Sequence, residues 1–416
     1  MFRSFKYYNY RLHFSGQALS LIGTWMQRVA ISWLVYRVTG SAFMLGLVSF
    51  LGLIPSLILA PFAGAFADRN NKYKIVLWCQ VAFMAQAGML ALLTFSGNYN
   101  MVLISILSLL QGIISTFETT GRQSLVAELV DDREDLPNAL ALNSSAFNAA
   151  RLLGPALAGI VLSTFGENAC FLINFLSFIP VITCLLFMKL RPYMPQVTTG
   201  NAWEGLKEGF HYLERTRDIS SLIVVLALSS LLVIPFSTLL PVFAKDIFHG
   251  DATTFSWFES AGGLGALIGA VYMARLKGAK NLPVIVIGAN VIFALGVIFL
   301  SFSPSVWLAL IFTSLACTGL MTQNAAINTY IQTHAAPEMR GRAISYYIMA
   351  FQGVLPVGTL LIATAAHFIG TQATVLFEGL TGLLIIGLYA RYLRRQKSAG
   401  NGRVISMTDW FKQLAS

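Results

Sequence analysis

The sequence predicts an all-α integral membrane protein with twelve transmembrane helices in two pseudo-symmetric six-helix bundles. Three observations predict it. Hydrophobic residues make up 56% of the chain and charged residues 11%, whereas soluble domains carry about 25% charged residues. Stretches free of Asp, Glu, Lys and Arg recur at 38–67, 75–117, 168–188, 219–244, 281–337 and 343–377, each long enough for the ~20 residues that cross a bilayer. None alternates as barrel strands do, and backbone groups in lipid must pair internally, so the crossings are helices.

In chain order, spans are expected near 12–36, 43–67, 75–96, 101–121, 139–163, 169–188, 219–242, 254–276, 283–302, 305–328, 343–366 and 371–393. The stretch 281–337 exceeds one crossing and breaks at Ser301-Phe302-Ser303-Pro304-Ser305, giving two helices and a tight turn. Of 28 Lys and Arg, Arg37 and Lys245 fall outside and Arg28 and Arg151 within spans. The remainder lies on one side, which the positive-inside rule makes the cytoplasm. Both termini belong there, in a multi-pass protein of the inner (plasma) membrane. The net charge of +10 is this imbalance rather than a nucleic-acid footprint, since the basic residues are spread over many short loops. The first span is too long for a signal-peptide core and is expected to be retained. Cys79, Cys170, Cys184 and Cys317 have neither zinc-site nor disulfide spacing, and no metal or cofactor is expected.

Four regions follow: a bundle at 1–188, a linker at 189–218, a second bundle at 219–395 and a cytoplasmic tail at 396–416. The bundles look duplicated. Asp68-Arg69 recurs as Ala274-Arg275 followed by Lys277 and Lys280. Asp131-Asp132-Arg133 recurs as Glu338-Met339-Arg340, and Gly112 maps onto Gly319. Near-equal offsets at three places argue for six helices repeated in parallel. In the linker, Trp203, Leu206, Phe210 and Leu213 recur at helical spacing among Glu204, Lys207, Glu208 and Arg215, the pattern of an amphipathic helix lying on the membrane surface.

Enzyme signatures are absent. There is no Gly-Lys pair and hence no phosphate-binding loop. The run Gly262-Gly263-Leu264-Gly265-Ala266-Leu267-Ile268-Gly269 lies inside an apolar span without a preceding strand, so it reads as small-residue helix packing. Without a nucleotide site, uphill transport must draw on an ion gradient.

The second span ends in GAFADRNNKYK (Gly64–Lys74), a Gly-x-x-x-Asp-Arg junction with trailing basic residues. With Asn143–Pro155 (NSSAFNAARLLGP) and Pro337-Glu338-Met339-Arg340-Gly341-Arg342, it resembles the major facilitator superfamily, and within it the efflux branch holding the enterobactin and macrolide exporters. The resemblance covers the whole chain. It implies two bundles rocking around a central cavity and small-molecule export driven by proton entry. Many proton-coupled members carry an acid in the first helix; this first span has Arg28 instead.

Candidate roles follow. Gly64, Asp68, Arg69, Arg122, Arg340 and Arg342 are expected at a cytoplasmic gate, with Asp68 facing a positive helix terminus or Arg122 and Gly64 admitting a close neighbour. An ordinary loop salt bridge is the competing reading for Asp68. Ionisable residues inside spans cost roughly 2.5–3.5 kcal/mol at a helix centre, so each faces protein or water. Arg151 lies ~18 Å into its helix, near the midplane, and is the first choice for contacting substrate or pairing with a titrating acid. A structural Arg bonded to helix-end carbonyls is the alternative. Arg28 and the amides Asn148, Gln323, Asn324, Asn328 and Gln352 are expected to line the cavity, although amides also serve as helix glue. Glu118, four residues before Arg122, and Glu259 are the candidate proton carriers. The competing reading of Glu118 is a plain i,i+4 ion pair. Glu378 reads as structural. The expected partners are a small-molecule substrate, protons and lipid, in a monomer. The alternatives are a lipid or lysolipid flippase of the same fold, or a non-transporting membrane sensor or scaffold.

Overall fold

A computed structural model of the chain describes residues 3–130, 132, 134–190, 202–276 and 281–398, with backbone alone for Pro61, Asp68, 202–206 and 396–398. Asp131, Arg133, Lys277, Lys280 and the tail at 399–416 lie outside the described residues, as do the side chains of Asp68, Trp203 and Leu206.

Among the described residues every regular element is helical. The helices start and stop where local chemistry dictates. α1 (Tyr8–Thr39) ends at Gly40, whose φ of 59° is left-handed. α2 (Ala42–Arg69) begins where the Ser41 hydroxyl accepts from the Met44 N–H. α3 (Lys72–Phe95) and α4 (Met101–Glu128) begin at Asn71 and Asn100, whose side chains cap the first turns. α5 (Leu136–Leu186) runs 51 residues with a break at Gly166, where φ is 80°. Its two arms form a hairpin. The Tyr10 hydroxyl donates to the Ala139 carbonyl at 3.0 Å, while the Asn9 amide donates to the Lys189 carbonyl at 2.8 Å. Both arms therefore return to the same end of α1, termed the near end; the opposite end is the far end.

The second half comprises α6 (Ala202–Arg215), α7 (Arg217–Leu232), α8 (Leu240–Val242), α9 (Ala252–Arg275), α10 (Leu282–Ser301), α11 (Val306–His334), α12 (Arg340–Ile348), α13 (Leu355–Ile369) and α14 (Thr371–Ser398). A 3₁₀ stretch at Ile234–Leu239 and a π-turn at Phe243–Ile247 interrupt the segment containing α7 and α8. A second π-turn at Met349–Gly353 joins α12 to α13. Ten helical segments are long and apolar enough to cross a membrane among the described residues. Separating the two arms of α5 and adding α9 gives the twelve crossings expected.

The chain divides into two compact units, one of 1–202 with 238–260, the other of 203–237 with 261–416. The far-end part of the seventh crossing and the first turns of α9 thus group with the first six crossings. Each unit has its own buried amide network. In the first, Gln27 donates to Gln86 at 2.9 Å and accepts from Asn174 at 2.8 Å, and Gln86 donates to the Leu107 carbonyl. In the second, Asn290 donates to Gln323 at 2.8 Å, and both amides bond Ser229. The Gly-rich run of α9 packs as expected. A Cβ at Gly265 would stand 2.0 Å from the Ser314 carbonyl oxygen, and one at Gly269 2.7 Å from that of Thr318. Gly112 and Gly319, matched by the repeat, serve different contacts: Gly112 presses on Gly52 of α2, and Gly319 on Ala289 and Phe293 of α10.

The linker helix α6 departs from expectation. It sits on protein rather than on lipid alone. Leu213 is buried while Phe210 is exposed, Gly209 abuts Tyr346 and Arg342, and the Ala336 N–H donates to the Tyr212 hydroxyl at 3.0 Å. At the near end of the first unit, a short 3₁₀ turn (Arg3–Lys6) is pinned to the start of α5. Ser4 donates to Asn138 and to the Asp135 carbonyl, and Lys6 meets Asp135 at 2.6 Å.

Candidate functional site

Two glycines bring three distant charges together inside the first unit. At Gly154 a Cβ would lie 2.4 Å from the Trp25 Cβ, so the first arm of α5 presses directly on α1. Arg151, one turn before Gly154, is thereby set over Trp25, 6.0 Å from its ring centroid. Arg28, one turn after Trp25 on α1, lies 4.9 Å from the same ring. At Gly159 a Cβ would lie 2.7 Å from the Ser256 Cβ, which presses α9 onto α5 and places Glu259, one turn further on, within electrostatic range of both arginines.

Neither guanidinium has a hydrogen-bond or ion-pair partner among the described residues; Trp25 is what each touches. Arg28 lies in the middle of α1 with protein crowded around it, yet its side chain keeps accessible surface. Phe147 adds an apolar wall, edge-on to Trp25 at 5.7 Å. The group is a cationic pair on an aromatic platform with one facing carboxylate. Arg28, Arg151 and Glu259 were separate candidates in the sequence, and the fold joins them. Trp25 was missed, although its i,i+3 spacing to Arg28 puts the two on one helix face.

The amides divide. Gln323 is fully buried and spent in the Asn290–Ser229 network, so it lines no cavity: an amide on a helix-packing face satisfies its neighbours instead. Asn324 is buried, with its carbonyl oxygen lacking a hydrogen bond among the described residues. Asn328 is half-buried and accepts from Gln332. Asn148 donates to the Ser144 carbonyl of its own helix, and Gln352 is exposed on the π-turn.

At the near end, Glu118 and Arg122 form the i,i+4 pair at 2.8 Å. Glu118 is 6% exposed, and Gln80 donates to it at 3.4 Å. His13, buried with an unbonded Nε2, faces the Arg122 charge. Of the remaining gate candidates, Arg69 and Arg340 are exposed, and Arg342 pairs with Glu208 of α6 and donates to the Met339 sulfur. Gly64 differs from expectation: nothing lies within 4 Å of a Cβ built there, so it admits no close neighbour in this conformation.

The far end holds contacts that the sequence reading missed. The Tyr36 hydroxyl donates to Asp246, and the Lys245 ammonium lies 5.4 Å from the Tyr36 ring centroid and donates to the Arg37 carbonyl. Trp33 stacks on Phe255 at 6.3 Å. Arg37 meets Glu167 at 2.6 Å and lies over Tyr99. A cavity of about 540 Å³ opens beside them, bounded by Trp33, Arg37, Tyr99, Glu167 and Asp251.

The profile of a family described as transmembrane secretion effectors matches residues 2–415. The chain is 27% identical over 402 residues to the staphyloferrin A transporter of Staphylococcus aureus, covering 92% of this chain and 96% of that one. It is 26% identical to macrolide efflux protein A of Streptococcus pyogenes, with 90% and 94% covered. It is 24% identical to the multidrug efflux pump Tap of Mycolicibacterium fortuitum, with 88% and 91% covered. Among solved structures, the nucleoside transporter NupG superposes with a TM-score of 0.70 at 15% identity, covering 92% of this chain and 99% of that one. A bacterial homologue of the iron transporter ferroportin superposes at 0.66 and 18%, covering 92% and 98%.

Proposed function

The chain belongs to the transmembrane secretion effector family, and we propose that it exports an amphipathic small molecule across the plasma membrane in exchange for protons. The observation that carries this reading is the Arg28–Trp25–Arg151 group facing Glu259. Two guanidiniums without a hydrogen-bond or ion-pair partner among the described residues are costly inside a membrane protein unless water or a ligand reaches them, and Arg28 keeps accessible surface. The names of the relatives support small organic cargo moved outward, and the excess of basic residues at the near end supports placing both termini in the cytoplasm. One chain supplies every member of the group, so a monomer suffices.

Proton exchange falls to Glu118. Its carboxylate is buried against Arg122, which is 18% exposed in its side chain, so protonation releases Arg122 for another partner. The expected alternative partner is Asp68, and exchange of Arg122 between the two carboxylates would open and close the near end. Glu259, within electrostatic range of two arginines, belongs to the proposed cargo site instead.

Proteoliposomes loaded with a labelled macrolide or siderophore test the reading. Substrate and protons should cross in opposite directions, and an uncoupler should stop concentrative efflux. Glu118→Gln should abolish gradient-driven accumulation while substrate counterflow continues. Efflux indifferent to an imposed pH gradient removes the exchange.

A further inference from the structure

We propose that the cargo taken at this site is an amphipathic carboxylate; this rests on the reading of the Arg28–Arg151 group as the cargo site. Three observations carry it. The first is charge: two guanidiniums face one carboxylate, Glu259. A monoanion brings the loaded site to neutrality, whereas an amine would leave it with two uncompensated positive charges, and a net charge costs most where the surroundings are poor in water. The second is valence: neither arginine is spent on a protein acceptor among the described residues, so both forks remain available for the bidentate geometry that guanidinium offers a carboxylate. The third is shape: Trp25 and Phe147, packed edge-on at 5.7 Å, provide an apolar surface beside the charges, which fits a ligand with an aromatic or hydrocarbon body.

Glu259 then has a definite role. Its carboxylate competes with the cargo for the same two arginines and repels the incoming anion. It halves the positive charge of the empty site and weakens binding, so that cargo can leave. Its removal should therefore tighten binding of a carboxylate.

The test is equilibrium binding to the full chain in nanodiscs with phenylbutyrate, phenylbutyramide and phenylbutylamine, which are similar in size and differ in charge. Phenylbutyrate should bind tightest, by about tenfold over the amide, because its carboxylate adds charge–charge attraction and a bidentate fit to the hydrogen bond that a guanidinium gives either oxygen. Arg28→Gln and Arg151→Gln should each erase that preference, bringing phenylbutyrate down to the affinity of the amide, and whatever phenylbutyramide binding each variant retains reports that it is folded. Glu259→Gln should tighten phenylbutyrate severalfold, a gain that misfolding does not produce. Tighter binding of the amine, equal binding of all three, no binding of phenylbutyrate, or weaker phenylbutyrate binding in Glu259→Gln would each overturn the proposal. The assay needs no proton gradient, so it can fail while the coupling stands, and the reverse.

Discussion

If the far end opens during transport, the bond from Tyr36 to Asp246, which ties α1 to the segment containing α7 and α8, must break there. Tyr36 is 2% exposed and Asp246 is exposed. A hydrogen bond to a charged acceptor is worth about 1.5–3 kcal/mol; solvent screening at Asp246 puts this one at the lower end, about 1.5 kcal/mol. Tyr36→Phe removes the hydroxyl and keeps the ring beneath Lys245, so the loss isolates one bond. Since 1.36 kcal/mol is a factor of ten, the open population should rise about tenfold. The reporter is Ser256→Cys. Ser256 is fully buried, packed against Gly159, and a water-soluble maleimide reaches a thiol there only when α9 lifts from α5. When opening and closing are fast relative to labelling, the labelling rate tracks the open population. Cys170, equally buried on α5, is the control for unfolding and should stay unlabelled. An unchanged labelling rate at position 256 would refute the latch. Parallel labelling of Cys170 would show that the substitution loosens the bundle instead.

Three further outcomes are expected. Gln27→Leu leaves the Gln86 and Asn174 amides without their mutual partner and should lower stability by about 1–3 kcal/mol, read as a lower melting temperature in nanodiscs; an unchanged one contradicts the network. The Glu208–Arg342 pair is 56% and 38% exposed in its side chains, so a double-mutant cycle should give a coupling of at most ~1 kcal/mol, and a much larger value would mean that α6 is held chiefly by this pair. At the amino-terminal strap, the hydrogen bond from Lys6 holds the Asp135 carboxyl below the usual carboxylate range, and the same bond raises Lys6 to about 12. A depressed acid stabilises the folded state above its unfolded pKa and loses that effect as pH falls through the folded value. Protection factors for hydrogen exchange at Ser4–Tyr7, referred to the intrinsic rate at each pH, should therefore stay high at neutral pH and fall in strong acid, below the ordinary carboxylate range; protection unchanged through that window would contradict the anchor.

What the sequence made legible was local. Uncharged stretches of bilayer length located the crossings, small residues within α9 marked a close-packing face without naming its partner, and an i,i+4 spacing located Glu118 with Arg122. Each of these signals lies within one helix. The proposed cargo site was legible only in parts, because Arg28, Arg151 and Glu259 sit on three helices, and only the close approaches at Gly154 and Gly159 bring them together. Periodicity failed at Gln323, since a polar stripe on a helix fits a cavity wall and an amide network equally well. It failed at Arg342 because the competing carboxylate, Glu208, belongs to the linker. Tyr36 and Asp246 are separated by 210 positions, and neither stands in a motif.

The polar groups divide by what they must do during transport. Neutral amides and hydroxyls tie helices within each unit: Gln27, Gln86 and Asn174 in one, Ser229, Asn290 and Gln323 in the other. Such bonds are buried, carry no net charge and leave costly orphans if broken, which suits bodies that move without deforming. The charges of the proposed sites lie elsewhere: Arg28, Arg151 and Glu259 around Trp25, Glu118 and Arg122 at the near end, Asp246 at the far end. A charge can exchange one partner for another, or for water, with little net cost wherever water reaches it. Arg28 and Asp246 are exposed, and Arg151, Glu259 and Arg122 only partly buried. A negative cargo also gains from the membrane potential. With the cytoplasm negative, each anionic charge moved outward releases about 2.3 kcal/mol per 100 mV, so the proposed site, with its excess of guanidinium, would select ions whose export the membrane potential favours.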